Sequence, residues 1–118
     1  MDAQNAERLR TVFSDTVLLD TSMLSDRLHG APAVGAFFDA FTELCETLTI
    51  QDEAEGSATS YLVWSGAAFN GRLFDGVTSL ARDERGQIHH IRVLCEPFSM
   101  LLRFSAALTP RLQSYLPN

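Results

Sequence analysis

Apolar positions along the chain change period several times, and the changes divide it into elements. Asp2 to Phe13 carries Ala6, Leu9, Val12 and Phe13 at helical spacing, with acids near its start where a helix dipole favours them; the pattern predicts a short helix. Thr16 to Thr21 (TVLLDT) is β-branched and aliphatic and reads as a strand. Ser25 to Gly30 is a polar connector, and Pro32 then falls where a first helical turn tolerates it. Val34, Phe37, Phe38, Phe41, Leu44 and Cys45 follow at steps of three and four, the stripe of an amphipathic helix.

From Glu46 the period shortens to two. Glu46 to Ala54 reads as a strand with one wet face, Glu55-Gly56 as a turn, and Ser57 to Phe69 as a long strand. Asn70-Gly71 is a type I′ hairpin signal, and Arg72 to Arg82 returns as its partner. Asp83 to Gly86 is a second tight turn, and Gln87 to Glu96 is the last strand. After Pro97 a helix carries Phe98, Leu101, Leu102, Ser105, Leu108 and Leu112 on one stripe, and Pro110 is expected to kink or break it. The order predicts an α+β fold: a curved, mixed or antiparallel sheet wrapped round helices as a cone-shaped barrel, in a single domain over residues 1–118. Several strands are apolar on both faces, so the face without helices needs cover, and a second subunit would supply it.

Composition narrows the function classes. The formal charge of -6 argues against a nucleic-acid partner and against anionic lipid. No apolar run reaches the ~18 residues of a membrane span, and the polar start lacks a signal-peptide pattern, so a cytoplasmic protein with reduced Cys45 and Cys95 is expected. His89 and His90 are adjacent, so on a strand they face opposite sides and cannot chelate one ion. With no third ligand at a metal-like spacing, neither a metal nor another cofactor is expected. Cys95 lies about 20 Å along an extended strand from His89, which excludes a dyad between them and leaves a core thiol.

The segments LRTVFSDTVLLDTSML (Leu9 to Leu24), HGAPAVGAFFDAF (His29 to Phe41) and FNGRLFDGVTSLARDERGQIHHIRVLCEP (Phe69 to Pro97), in this order and spacing, resemble the nuclear transport factor 2-like (cystatin-like) superfamily. Its members include ketosteroid isomerase, SnoaL-like polyketide cyclases and limonene epoxide hydrolase. The resemblance covers roughly Leu9 to Pro97, and none of these motifs is catalytic. Only about a dozen residues precede the first strand, so the superfamily's long opening helix is expected to be absent, while about twenty residues follow the last strand. The helix after Pro97 is expected to cover the apolar surface that the missing one leaves.

Laid on ketosteroid isomerase, VLLDT places Asp20 where that enzyme keeps its general-base aspartate. The alternative is a strand-end aspartate bonded to a turn. The family's enolate donors are a tyrosine on the first helix, absent here, and an aspartate whose position falls at Thr78. The epoxide hydrolase Asp-Arg-Asp set does not map onto Arg72, Asp75 and Arg92. Alternation with the resemblance turns His89, Ile91, Val93 and Cys95 into the cone, with Thr78 and Leu80 beside Gly76, and Tyr61, Val63 and Ser65 beside Ala67. Together with Phe37 and Phe41 they would line an apolar pocket, with Asp20, Thr78 and His89 as the catalytic candidates. Trp64, Arg92 and Leu94 fall on the outer face as a homodimer surface.

Three readings follow. The first is a binder of a small apolar molecule, extending to a cofactor-independent isomerase or cyclase with Asp20 as base. The second is a non-catalytic ligand-binding or dimeric interaction module, and the third a subunit docked on a partner enzyme.

Overall fold

The structure, a computed structural model, describes residues 13–117, so the helix expected over Asp2 to Phe13 lies outside the described residues except for Phe13. The elements are β1 (Phe13–Thr21), β2 (Leu28–His29), α1 (Ala31–Leu44), β3 (Cys45–Glu55), β4 (Thr59–Ala68), β5 (Arg72–Arg82), β6 (Ile88–Glu96) and α2 (Phe98–Arg111), followed by a 3-10 turn, Gln113–Tyr115. The strands form one six-stranded sheet in the order β2-β1-β6-β5-β4-β3. Neighbours pair antiparallel except β1 and β6, which run parallel, so the sheet is mixed. Register shifts in β1–β6, β3–β4 and β5–β6 bend it.

Both helices cover one face. The apolar stripe of α1 forms as its spacing dictates and buries Val34, Phe37, Phe38 and Phe41. Cys45, expected as the last helical residue, turns to extended backbone and opens β3 without a loop. In α2 the buried stripe is Met100, Phe104 and Leu108, with Leu112 just beyond; Phe98 and Leu102, expected on it, are exposed. Residues 100, 104 and 108 repeat every four, so a one-position error in phase turns the wrong side chains inward. Pro110 sits in the last turn and the helix ends at Arg111.

The interior is aromatic. Phe104 lies 5.0 Å from Phe41, 5.1 Å from Phe69 and 5.0 Å from Phe74, and Trp64 stands edge-on to Phe41 at 5.6 Å. Trp64 pairs with Gly76 across β4–β5. A β-carbon on Gly76 would collide with the indole, so the missing side chain is what lets Trp64 lie on β5.

Trp64 also fixes the faces of β4. Trp64 and Ala68 are buried, whereas Tyr61 and Val63 are exposed. The expectation that Tyr61, Val63 and Ser65 face inward is therefore corrected: they lie on the outer face, and Trp64 belongs to the core and not to an outer surface. The β4–β5 turn also differs. Ala68 pairs with Arg72, leaving Phe69, Asn70 and Gly71 as a three-residue loop, all at positive φ (54°, 67° and 80°), in place of a two-residue type I′ turn. Glu46 holds it, its carboxylate accepting the backbone N–H of Asn70 (3.0 Å) and of Gly71 (2.8 Å).

Candidate functional site

Asp20 ends the aliphatic run of β1, where Val17 and Leu19 point into the core. By alternation its side chain leaves through the opposite, outer face. There it meets the side chains of Arg27 and His90. Arg27, in the segment leading into β2, donates from Nε to Oδ1 at 2.8 Å and from its terminal nitrogen to Oδ2 at 2.9 Å. His90 Nε2 donates to Oδ2 at 2.7 Å. Hydrogen bonds from Arg27, then from His90, outweigh partial desolvation and hold the Asp20 carboxyl far below the usual carboxylate range. A carboxylate with both oxygens engaged and its proton affinity lowered is a poor proton acceptor.

Thr78 lies on the inner face, buried, with Oγ1 accepting the indole N–H of Trp64 at 2.9 Å. The sheet therefore separates Asp20 from Thr78. A base and an oxyanion donor on opposite faces cannot address one substrate atom.

His89 is not in the interior either. Arg82 pairs with Ile88 and Ala81 with His90, so His89 is the extra residue of a bulge and is exposed. Ile88 and Ile91 both point inward as a result, and His90 takes the place beside Asp20. The structure thus brings together Asp20, His90 and Arg27, and leaves Thr78 and His89 apart. Sequence reasoning missed Arg27 and singled out the wrong histidine. The available signal was an acid in an apolar strand with a basic residue seven positions on.

Phe37, Phe41, Leu80, Ile91, Val93 and Cys95 do lie on the inner side. Among the described residues a void lined by Phe41 and Val93, together with Phe38, Leu48, Trp64 and Thr78, holds about 10 Å³. That is roughly the ~10–15 Å³ one water needs. Both thiols are held protonated: burial pushes Cys45 up to about 12 and, with Glu96 and Asp75 nearby, Cys95 to about 11.

The outer face is open. Leu94 is 55% exposed, Tyr61 46% and Val63 and Val77 41% each, neighbours on one face where single exposed residues would be unremarkable, and Leu73, 76% exposed, lies further along β5 beyond Asp75. One shallow groove of about 270 Å³ runs from Asp20 and Arg27 past Arg92 to Leu94, and a second of about 290 Å³ joins Leu94 and Val77 to Asp75 and Glu96.

No family model matches the chain, and no curated protein does. Solved structures do. A steroid delta-isomerase from Pseudomonas aeruginosa superposes with a TM-score of 0.81 at 20% identity, over 93% of this chain and 81% of that one. An NTF-2 like protein of unknown function from Burkholderia xenovorans LB400 matches at 0.67 and 15% identity, over 81% and 74%. A Mycobacterium tuberculosis protein in complex with estradiol-17beta-hemisuccinate matches at 0.59 and 23% identity, over 77% and 81%. The chain has the nuclear transport factor 2-like fold. Within this nuclear transport factor 2-like fold, α2 supplies Met100, Phe104 and Leu108 to the core from beyond the last strand. The described interior is packed with rings, and the Asp20 cluster and the exposed apolar set both lie on the outer face.

Proposed function

We propose that the chain is a non-catalytic module that pairs with a second copy of itself through the outer face of the sheet. The observation that carries this reading is the exposed apolar row Val63, Val77 and Leu94, in register across β4, β5 and β6. A row of this kind loses apolar area from water when a like surface covers it. Sedimentation of the wild type is expected to give a dimer, and Val77→Lys a monomer of unchanged circular dichroism. Val77 is half in solvent, so the lysine should leave the fold intact. A wild type that stays monomeric at every concentration would overturn the proposal and leave a heterologous partner as the occupant.

A second reading keeps support from the inner face. Thr78 and the apolar side chains of β5 and β6 share the inner face of the sheet, and the fold is shared with a steroid delta-isomerase and with a protein bound to an estradiol derivative. It requires the Trp64–Thr78 bond and the ring cluster to open. Estradiol-17beta-hemisuccinate is the probe: a ligand that binds only the folded state raises the melting temperature with concentration. The dimeric-module reading expects no shift.

A further inference from the structure

The outer face is ordered in rows that cross the strands. In the middle row Val63 is opposite Val77 and Val77 opposite Leu94. On one side Tyr61, Ser79 and Arg92 align, with Asp20 beyond. On the other side Ser65, Asp75 and Glu96 align. Further out, Leu73 and Ala81 lie at opposite ends of β5. An apolar row is thus flanked by a row with an arginine and a row with two acids. Arg92, Asp75 and Glu96 take part in no ion pair within the described residues.

A closed pair of identical surfaces is related by a two-fold axis, and for two sheets packed face to face with their strands aligned that axis runs either along the strands or across them. With the axis along the strand direction, β5 lies over its copy in the same row. Asp75 then meets the second copy's Asp75 near the centre of the contact, where like charges are costly. With the axis along the middle row, each strand lies over its own copy running the other way, and the two flanking rows exchange. Arg92 then stands over the second copy's Glu96, twice by symmetry. Ser79 stands over Asp75, Tyr61 over Ser65, and exposed Leu73 over Ala81. Val63, Val77 and Leu94 pack on their own copies. The like-charge contact left is Asp52, opposite Val63 on the edge strand β3, where the twist of the sheets spreads them.

We infer that two copies pair about an axis along the row Val63–Val77–Leu94, closed by reciprocal Arg92–Glu96 ion pairs. The inference rests on the sheet-face pairing proposed above and specifies its register. The face from β1 to β3 measures about 24 Å across the strands and about 30 Å along them, roughly 700 Å² at standard strand spacings. A standard interface takes about 800 Å² from each partner, so the surface is of adequate size.

The test is charge exchange, read by sedimentation equilibrium, with circular dichroism checking the fold of each variant. R92E and E96R are each expected to raise the dimer dissociation constant about tenfold or more, and R92E/E96R to return it to within about threefold of wild type. E96R is the sharper single variant. It moves the formal charge of the chain from -6 to -4, which by itself favours association, so a loss of dimer reports the local pair. At about 0.15 M salt, where repulsion between whole chains is screened, D75N is expected not to tighten the dimer; with the axis along the strands it would tighten it markedly. A dimer abolished by V77K but indifferent to R92E and E96R, or tightened by D75N, overturns the register while leaving the sheet-face dimer standing. A dimer insensitive to V77K, or no dimer, overturns both.

Discussion

At the scale of the residue, Asp20 and Thr78 matter for what holds them. Thr78 accepts the one hydrogen bond that the buried Trp64 indole can give. Thr78→Val keeps the shape and removes the acceptor, and is expected to cost about 1–3 kcal/mol, the penalty of an unmade buried bond. Thr78→Ser should cost much less, and urea unfolding followed by Trp64 fluorescence separates the two. Asp20 stabilises through Arg27 and His90, but its side chain is 33% exposed and that of Arg27 44%, so solvent screening limits Asp20→Asn to about 1 kcal/mol. The sign with pH follows from the depressed carboxyl. The contribution is complete above the ordinary value of 3.8 and is lost as pH falls from there through the lower folded value. The stability gap between wild type and Asp20→Asn should therefore be constant near neutrality and shrink only in acid below pH 3.8. A gap centred near neutral pH would mean that a group other than Asp20 carries it. That Asp20 is unusual was legible in the sequence, because an acid in TVLLDT needs a reason. Its partners were not, since one lies in a connector and the other on a strand that pairs with β1 in parallel from seventy positions away.

At the scale of the element, legibility depends on period. α1 was read correctly because residues 34, 37, 38 and 41 define a helical face that tolerates one misassigned position. A strand has no such tolerance, since its period is two and one added residue exchanges its faces. His89 is that residue in β6, and β4 was inverted because both of its faces carry apolar side chains. Pairing would have decided β4: the largest side chain, Trp64, sits against the glycine of its partner strand. The helix after Pro97 is present as the sequence predicts, and it packs on the core through Met100, Phe104 and Leu108, a different stripe from the expected one. Phe104 is fully buried among Phe41, Phe69 and Phe74, so Phe104→Ala should cost about 3–5 kcal/mol, whereas Leu102→Ala, at 51% exposure, should stay within about 0.5 kcal/mol. Urea midpoints measured on both variants decide which face of α2 holds the fold.

At the scale of the whole molecule, the pairing proposed for the outer face must form between two chains that each carry a formal charge of -6. The described fold is 23 Å across its thinnest dimension, so face-to-face copies have centres about 25 Å apart. Treated as point charges in water they repel by about 6 kcal/mol without salt. At ~0.15 M ionic strength the screening length is about 8 Å, and most of that repulsion disappears. The Arg92–Glu96 contacts respond in the opposite direction, but each is worth only about 0.2–1 kcal/mol at an exposed rim. Repulsion between whole chains therefore dominates at low salt. The dimer is expected to tighten as sodium chloride rises from about 0.01 to about 0.15 M, and then to change little, because the remaining attraction is the apolar row, on which screening does not act. Sedimentation equilibrium across that series is the measurement. A dimer that weakens from the first addition of salt would mean that ion pairs, and not Val63, Val77 and Leu94, hold the two copies together.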